Sequence, residues 1–416
     1  MDEKMKNVPK RRFKEFKNAD AWEQRELGDL ADITKLAGFE FTEHVKYSDT
    51  GKIIALRGLN IKNGVLALAD VKYIDNSNFE KLKRSQLFIK DILFTYVGTI
   101  GEIALVPESN KYYLAPNVSR IRINKLVNAK FIQVQMYTEQ YKTNEILPLI
   151  TTSSQPALSM ENIRKFKVKI PSIFEQKLIG SFFEKIDQTI TLHQRKLEKY
   201  KTIKESYLEE MFPAEGQRKP RRRFPGFTDD WEQRELGEIS HLLTGYPFQS
   251  SKFTIAGLKL VRGMNIKRGY LDFSRKISEY WPSSSGLERF LLYTDDIVIQ
   301  MDGALIGRSY AKIPSTLGPS LLVQRVTRIR SKSNNFIYQS LQRDFLNYID
   351  LIKTDSAVPH LSLNDIRGFK LYIPTLDEQN KIADFLLIID QTITLHQKKL
   401  DKLKKLKEAL LEEMFV

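Results

Sequence analysis

The sequence lacks cysteine altogether, and only five of its 416 residues are histidine. Without cysteine the chain has no disulfide bonds, no thiolate metal ligands and no cysteine nucleophile, which suits a reducing compartment. Five histidines with no acidic residues clustered around them predict no metal centre. No apolar run approaches the ~18 to 20 residues that cross a bilayer, and the N-terminal stretch MDEKMKNVPKRRFKEF has no apolar core. We therefore expect a cytoplasmic protein without a membrane segment.

Reaction motifs are missing as well. The sequence has no phosphate-binding G-x-x-x-x-G-K-[ST], no G-x-G-x-x-G after a strand, no H-E-x-x-H and no G-x-S-x-G. Asp91 and Asp296 begin matched strands, but neither has a second carboxylate at a fixed spacing, so we assign them no acid–base chemistry. The sequence thus predicts no catalytic residue, no bound metal and no cofactor.

Positive charge is in excess. The 66 Lys and Arg residues outnumber the 51 Asp and Glu residues, which gives a net charge of +15 and a pI of about 9.5. A field of this sign attracts polyanions, and nucleic acid precedes an anionic membrane as the expected partner. Hydrophobic residues make up 42% of the chain and are sufficient for packed cores. At ~150 residues each, two or three domains are expected.

An internal repeat covers the whole chain. WEQRELGDL at Trp22 recurs as WEQRELGEI at Trp231, and LRGLNIKNG at Leu56 recurs as VRGMNIKRG at Val261. The segment KIDQTITLHQRKLEKYKTIKESYLEEMFP and its second copy IIDQTITLHQKKLDKLKKLKEALLEEMFV agree at 20 of 29 positions. The rest of each half keeps only scattered matches. Two variable domains on one scaffold, each followed by a nearly identical helix, are therefore predicted.

The repeat and the local patterns define the expected domains. Short β-rich runs dominate each variable part, and helical spacing over 130–145 and 335–352 predicts helices that pack on the sheets. We predict an α+β fold: two pseudo-repeated globular domains with small curved β-sheets, separated by two long antiparallel coiled-coil helices in a circular, pseudo-twofold arrangement. The expected segments are a basic N-terminal arm (1–21), a first domain (22–174), a first helix (175–213), a linker (214–230), a second domain (231–377) and a second helix (378–416).

Both long helices carry an apolar seam. Apolar and aromatic residues recur at alternating intervals near four and three, which is typical of a coiled coil that requires a partner helix. Because the two helices are nearly identical, each is the natural partner of the other. The predicted seam residues are Ile190, His193, Leu197 and Tyr200 in the first helix and Ile393, His396, Leu400 and Leu403 in the second. We expect the two histidines to be packed interior residues.

Basic stretches precede both Trp motifs. Lys10–Lys14 contains KRRFK, and Pro213–Pro225 contains KPRRRFP. Such runs are typical of linkers or solvated arms, and contact with phosphate groups is the open alternative. The phenylalanines that follow each run could anchor the arm to the next domain.

A protein that distinguishes bases needs polar groups at base edges in addition to phosphate contacts. Polar residues in loops between matched strands that differ between the halves are therefore the candidates for DNA binding. In the first half these are Lys62, Asn63, Tyr96, Thr99, Ser153, Ser154 and Gln155. In the second half they are Tyr246, Gln249, Lys267, Arg268, Gln300, Ser356 and His360.

The repeated motifs together resemble the specificity subunit of type I restriction-modification systems. The residues that carry the resemblance are PKRRFKEF, WEQRELGDL, RGLNI, DILFTYVGTIG, SSQPALS, IPSIFEQ and IDQTITLHQRKL with a LLEEMF-like ending, given twice over nearly the whole chain. One departure is that Gln155 is replaced by Val358, so a base contact by Gln155 has no counterpart in the second half.

The resemblance implies a division of labour. The variable domains would be two target recognition domains that each read one half of a bipartite double-stranded DNA target, and the helices would set the gap between the halves. Two methyltransferase subunits would dock on the helices, with motor-nuclease subunits outside them. Adenine methylation with S-adenosylmethionine and ATP-driven cleavage would then belong to those partners.

Two alternatives of other classes remain open from the residues alone. One is a stand-alone DNA methyltransferase or nuclease, which turnover by the purified chain would reveal. The other is a coiled-coil adaptor for proteins only, which absent or salt-insensitive DNA binding would favour.

Overall fold

The computed structural model describes residues 7–151, 156–303, 305–352 and 360–416. Of the DNA-binding candidates, Ser153, Ser154, Gln155 and Ser356 lie outside these ranges. The chain divides into two compact units: unit 1 comprises Met1–Gln194 and Lys398–Val416, and unit 2 comprises Arg195–Gln397. Among the described residues, no helix combines the length and the apolar character needed to cross a membrane.

Unit 1 is built on small sheets. Its largest sheet is antiparallel with the strand order Ala31–Lys35, Val118–Ile123, Ile92–Thr95 and Ile103–Leu105. Ile121 pairs with Ile33 on one side and with Ile92 on the other, so three buried isoleucines meet in the core. The remaining strands of the unit are Glu23–Glu26 paired with Lys167–Ile170, Ile61–Lys62 paired with Val65–Leu66, and Ile54–Leu56 between Lys72–Tyr73 and Tyr112–Leu114.

Unit 2 repeats this plan with different side chains. The corresponding antiparallel sheet has the order His241–Thr244, Val326–Arg330, Ile297–Gln300 and Tyr310–Lys312. Its other strands are Glu232–Glu235 paired with Lys370–Ile373, Ile266–Lys267 paired with Tyr270–Leu271, and a sheet of Tyr280–Trp281, Leu258–Val261, Ser320–Leu322 and Leu291–Leu292. The predicted α+β class with two pseudo-repeated, sheet-containing domains is confirmed.

The shorter α-helices lie between these strands. They are Leu27–Leu30, Gly38–His44, Ala129–Tyr137, Glu139–Tyr141 and Met160–Arg164 in unit 1, and Leu236–Ile239, Asn334–Ser340, Leu346–Ile352 and Leu363–Arg367 in unit 2. The helix predicted over 130–145 is interrupted at Thr138, which is extended (φ −65°, ψ 144°) and whose side chain caps the next turn by accepting a hydrogen bond from the Tyr141 amide. In unit 2 the predicted helix contains a π-helical turn at Leu341–Phe345.

The repeated Trp motif builds the core of each unit. Trp22 is buried and makes edge-on contacts with Phe131 and Phe415 at 5.4 and 5.9 Å between ring centroids. The glycine of the motif suits a close approach, because a Cβ at Gly28 would lie 3.0 Å from Cβ of Arg164, which is tighter than usual side-chain packing. The motif is therefore shared by the halves for packing.

The aspartates of the two matched strands pair with arginines. Asp91 accepts two hydrogen bonds of 2.7 Å from the Arg122 guanidinium, which also stacks 4.6 Å from the Phe88 ring. In unit 2, Asp296 accepts bonds of 2.7 and 2.6 Å from Arg330. Both carboxylates are 2% exposed. Each of these aspartates therefore links two neighbouring strands of the main sheet through its ion pair with an arginine.

Two long helices of 39 residues, Ile173–Met211 and Leu376–Met414, follow the last strand of each half. They begin two residues before the predicted starts. In unit 2, Tyr200 stacks on His396 at 5.7 Å and Tyr207 contacts Phe385 at 4.7 Å, so residue numbers rise on one helix as they fall on the other. The predicted antiparallel pairing is confirmed within this unit.

Unit 1 contains the matching arrangement. Phe183 contacts Phe415 at 5.9 Å, and Asp187 forms an ion pair of 2.6 Å with Lys407. The two helix segments in this unit are therefore antiparallel as well. The buried members of the predicted seam are Leu197 and Leu400, and the half-buried members are Ile190, His193, Tyr200, Ile393, His396 and Leu403.

Charged residues that the predicted seam omitted also lie along the helices. Lys204 is buried and contacts Asp390 in unit 2, at positions equivalent to Lys407 and Asp187 in unit 1. Burial lowers the pKa of Lys204, and the carboxylate of Asp390 acts in the opposite direction. Each helix thus carries an aspartate in its first half and a lysine in its second half, which matches charges only in the antiparallel orientation.

The basic arms are pinned by buried ion pairs. The Arg12 guanidinium donates hydrogen bonds of 2.8 and 2.6 Å to Glu175 in the first turns of the first long helix. Arg223 makes the same bidentate contact with Glu378, at 2.8 and 2.7 Å. The side chains of Glu175 and Glu378 are 1% and 0% exposed. These arginines are therefore structural, and phosphate contact stays a hypothesis only for the other residues of the arms.

Candidate nucleic-acid interface

The RGLNI motif organises a loop in unit 1. Asn60 is fully buried, its Oδ1 accepts a 3.0 Å hydrogen bond from the Arg57 amide, and its Nδ2 donates to the carbonyls of Ala67 and Asp70 at 3.0 and 2.6 Å. These three bonds satisfy the amide group and fix both ends of the hairpin that follows. The motif therefore holds the hairpin in place, whereas the exposed candidates Lys62 and Asn63 follow the motif in the sequence.

The RGMNI motif does the same in unit 2. Asn265 is fully buried, accepts a 3.0 Å hydrogen bond from the Arg262 amide, and donates to the carbonyls of Asp272 and Ile277 at 2.9 and 3.1 Å. The two units therefore present their hairpins in the same way.

Four of the candidates lie at the tips of these hairpins. In unit 1 the turn residues Asn63 and Gly64 have φ values of 53° and 82°, as a tight two-residue hairpin turn requires. The Asn63 amide donates a 2.8 Å hydrogen bond to the Glu102 carboxylate, which anchors the tip, and both Lys62 and Asn63 are exposed. In unit 2 Lys267 is half-buried and Arg268 is exposed.

A cleft of about 610 Å³ opens beside the hairpin of unit 1. It brings together three candidates, Lys62, Asn63 and Thr99. The other lining residues are Tyr47, Arg57, Gly58, Leu59, Ile61, Val97, Glu102, Pro116 and Asn117. The loop that carries Thr99 is held by Thr95, whose hydroxyl donates to the Thr99 carbonyl at 2.5 Å. The cleft offers lysine, arginine, amide and carboxylate groups side by side, which is the set that contacts phosphates and base edges.

Tyr96 lies largely in the core of unit 1. Only 8% of it is exposed, and its backbone amide donates a 3.1 Å hydrogen bond to the Asn117 carbonyl. Burial raises the pKa of its hydroxyl. A base contact by Tyr96 stays a prediction, but the exposed Lys62, Asn63 and Thr99 are better placed.

In unit 2, Asp302 follows strand Ile297–Gln300 and contacts His360, which lies 58 residues further along the chain. Its carbonyl accepts a 2.6 Å hydrogen bond from the Gln300 side chain, and its carboxylate contacts His360 Nδ1. The same carboxylate lies 3.1 Å from Nε of Arg325. Gln300 therefore holds the backbone of this loop, whereas His360 and Arg325 are exposed.

Tyr246 and Gln249 occupy a neighbouring segment of unit 2. The Tyr246 ring is 38% exposed and contacts Phe248 and Phe290 at 5.0 and 5.4 Å, and its carbonyl accepts a 2.9 Å hydrogen bond from the Gln324 amide. Gln249 is exposed and precedes a short 3₁₀ helix. Because Gln324 precedes Arg325, Tyr246 is tied to the same turn as Arg325.

The sequence-based selection missed residues that line these surfaces. Arg57, Glu102 and Asn117 in the unit 1 cleft were not selected, nor were Asp302 and Arg325 in unit 2. The available signal was positional: Asn117 and Arg325 immediately precede the matched VSRIR and VTRIR strands, where a loop ends. Within the described ranges, no three acidic or histidine side chains converge so that they could hold a metal ion.

Comparison with known proteins gives consistent matches. Residues 19–202 and 228–405 each match the family model described as the type I restriction modification DNA specificity domain. The chain is 31% identical over 194 residues to the type I restriction enzyme EcoAI specificity subunit of Escherichia coli, a match that covers 43% of this chain and 33% of that subunit. It is 22% identical over 357 residues to the MjaVIII specificity subunit of Methanocaldococcus jannaschii, covering 80% and 81% of the two chains.

The fold has a solved counterpart. The crystal structure of a type I restriction-modification system S subunit from M. genitalium superposes with a TM-score of 0.70 and covers 98% of this chain and 99% of that one. Its sequence identity is 16%, so this likeness concerns the fold alone.

Proposed function

The chain belongs to the type I restriction modification DNA specificity family, and from that premise we propose that its two recognition domains each read one half of a bipartite duplex target. The domains are proposed to extend over 22–174 and 231–377. We assign base and phosphate contacts to Lys62, Asn63 and Thr99 in unit 1. In unit 2 we assign such contacts to Lys267, Arg268 and His360.

One observation carries this proposal: beneath the hairpins the two halves share buried hydrogen bonds, whereas at the exposed hairpin tips one of the two candidate residues differs. Asn60 and Asn265 make equivalent hydrogen bonds beneath the hairpins. At the tips, a lysine is present in both halves (Lys62 and Lys267), whereas Asn63 is replaced by Arg268. A shared cation suits the phosphate backbone, which is the same in every sequence, and an exchanged polar residue suits base edges, which are not.

The proposal assigns no chemistry to this chain, and this can be tested on the purified protein. Selection from a library of random duplexes is expected to enrich two short sequences separated by a gap of constant length. Addition of S-adenosylmethionine or Mg²⁺ is expected to give no methylated or cleaved product. Methyl transfer or cleavage by the chain alone would establish the stand-alone enzyme instead, and absence of DNA binding at low salt would favour the protein-only adaptor.

We further propose that the long helices set the gap and that each binds one methyltransferase subunit, with motor-nuclease subunits joining the complete complex. Large apolar side chains remain exposed at equivalent positions of the two helices: Leu192 is 51% exposed and Leu395 is 50% exposed. Ile388, on the second helix, is 62% exposed. Exposed apolar groups on otherwise polar helices are typical of a surface that another protein covers.

Single substitutions test this docking surface. Leu192→Asp is expected to weaken the binding of one methyltransferase subunit by about 10- to 100-fold, because it buries an unpaired charge in the contact. The mass of the assembled complex then drops by one methyltransferase subunit while the other stays bound. Leu192→Asp with Leu395→Asp should release both. Lys199→Asp, at an exposed position on the same helix, serves as the control, and two bound subunits in every variant would contradict the assignment.

A further inference from the structure

One exposed position differs between the units although its backbone hydrogen bond and its conformation are equivalent. The Tyr96 amide donates a 3.1 Å hydrogen bond to the Asn117 carbonyl, and in unit 2 the Met301 amide donates a 2.9 Å bond to the Arg325 carbonyl. Asn117 and Arg325 therefore occupy the same place in the two sheets. Both are exposed, whereas the valines that follow them are fully buried.

The backbone conformation at this position is unusual for an arginine. Asn117 has a φ of 70° and Arg325 a φ of 64°. Asparagine is one of the residues that this left-handed region tolerates, but a long side chain such as arginine is rarely found there. Residues held in such conformations cluster at functional sites.

Both side chains lie among polar groups at the surface of their units. Asn117 lines the cleft of unit 1 together with Lys62 and Thr99. Arg325 is 74% exposed at its side chain, and its Nε lies 3.1 Å from the Asp302 carboxylate. A carboxylate beside Nε leaves the outer edge of the guanidinium, formed by the two terminal amino groups, available to a further partner. That end of the fork matches the O6 and N7 acceptors of guanine, and a side-chain amide matches the N6 and N7 groups of adenine.

We propose that Asn117 and Arg325 are specificity-determining residues at equivalent positions, Asn117 selecting adenine in one half-site and Arg325 selecting guanine in the other. The inference rests on the proposed function, in which each domain reads one half of the target. It goes further by assigning one base to one residue in each domain.

A series of glycine variants tests the inference, because glycine adopts positive φ without strain and the fold is retained. The complex of the full chain with its methyltransferase subunits is given DNA in which both half-sites are randomised, and the methylated products are sequenced. Arg325→Gly is expected to reduce the preference for guanine at one position of one half-site by about 5- to 150-fold. Asn117→Gly is expected to do the same for adenine at one position of the other half-site.

Lys90→Gly is the matched control. Lys90 also has a positive φ, 71°. It lies before the start of strand Ile92–Thr95, whereas Asn117 is hydrogen-bonded to Tyr96, just after the end of that strand. Unchanged selectivity in both test variants, or an equal loss at all positions, would overturn the inference while leaving the bipartite target intact. If the unmodified chain itself showed no bipartite preference, the proposed function would fail instead.

Discussion

Replacing residues 22–169 with the corresponding segment of another family member is expected to change one half of the recognised DNA sequence and to leave the other half unchanged. The two ends of the segment are neighbours in the structure, because Gln24 near its start pairs with Lys169 at its end in a two-stranded sheet. The two junctions of the graft therefore lie side by side in the structure. A new half-site that differs at two base pairs moves the preference by about 30- to 20,000-fold, since each mismatch costs about 1–3 kcal/mol.

The matched control for this exchange is a graft of the equivalent segment 231–372. It is expected to alter only the other half-site. Selection from random duplexes reads both halves in one experiment. A graft that alters both half-sites, or that retains the original target in full, would contradict independent recognition by the two domains.

A basic arm is attached to each long helix by a buried ion pair. Removing one partner of such a pair is expected to lower the free energy of unfolding more than any other substitution proposed for this chain. Glu378→Ala leaves the Arg223 guanidinium, whose side chain is 13% exposed, without its carboxylate. An uncompensated buried charge typically costs about 3–5 kcal/mol. The unfolding midpoint in denaturant should fall accordingly, and Glu175→Ala should have the same effect through Arg12.

Two variants sharpen this test. Replacing both partners, as in Arg223→Met with Glu378→Leu, should recover most of the loss, because no charge is then left buried. Glu238→Ala removes the partner of Arg234 in an ion pair of 2.6 Å that is exposed on both sides, and it should leave the midpoint nearly unchanged. Equal effects of Glu378→Ala and Glu238→Ala would show that the buried pair does not pin the arm.

The architecture could be predicted because the same series of motifs occurs twice in the sequence. The Trp motif, the matched strands and the nearly identical helices recur in the same order, and the heptad spacing of the helices required a partner. Charged residues were harder to place. Arg12 and Arg223 read as members of solvated basic runs because their partners, Glu175 and Glu378, are 163 and 155 residues away in sequence.

The candidate interface was only partly accessible from sequence for a related reason. Exposure depends on which face of a strand or turn a residue occupies, and the strand that ends at Thr95 directs Tyr96 into the core. Conversely, Asn117 and Arg325 precede strands in which apolar and polar residues are mixed, and only their positive φ and their hydrogen bonds mark them as residues of equivalent exposed turns. Similarity between the halves identified the residues that build the fold. Differences between the halves identified candidate DNA-binding residues only where the exposure of each side chain was also known.

The most direct test of the account is to map methylated adenines in the host genome in cells that carry this gene and in cells that lack it. The account predicts one bipartite motif, with a gap of constant length, whose methylation disappears when the gene is deleted and the methyltransferase gene is retained. Methylation of the same motif without this chain, or loss of methylation at a single continuous sequence, would contradict it.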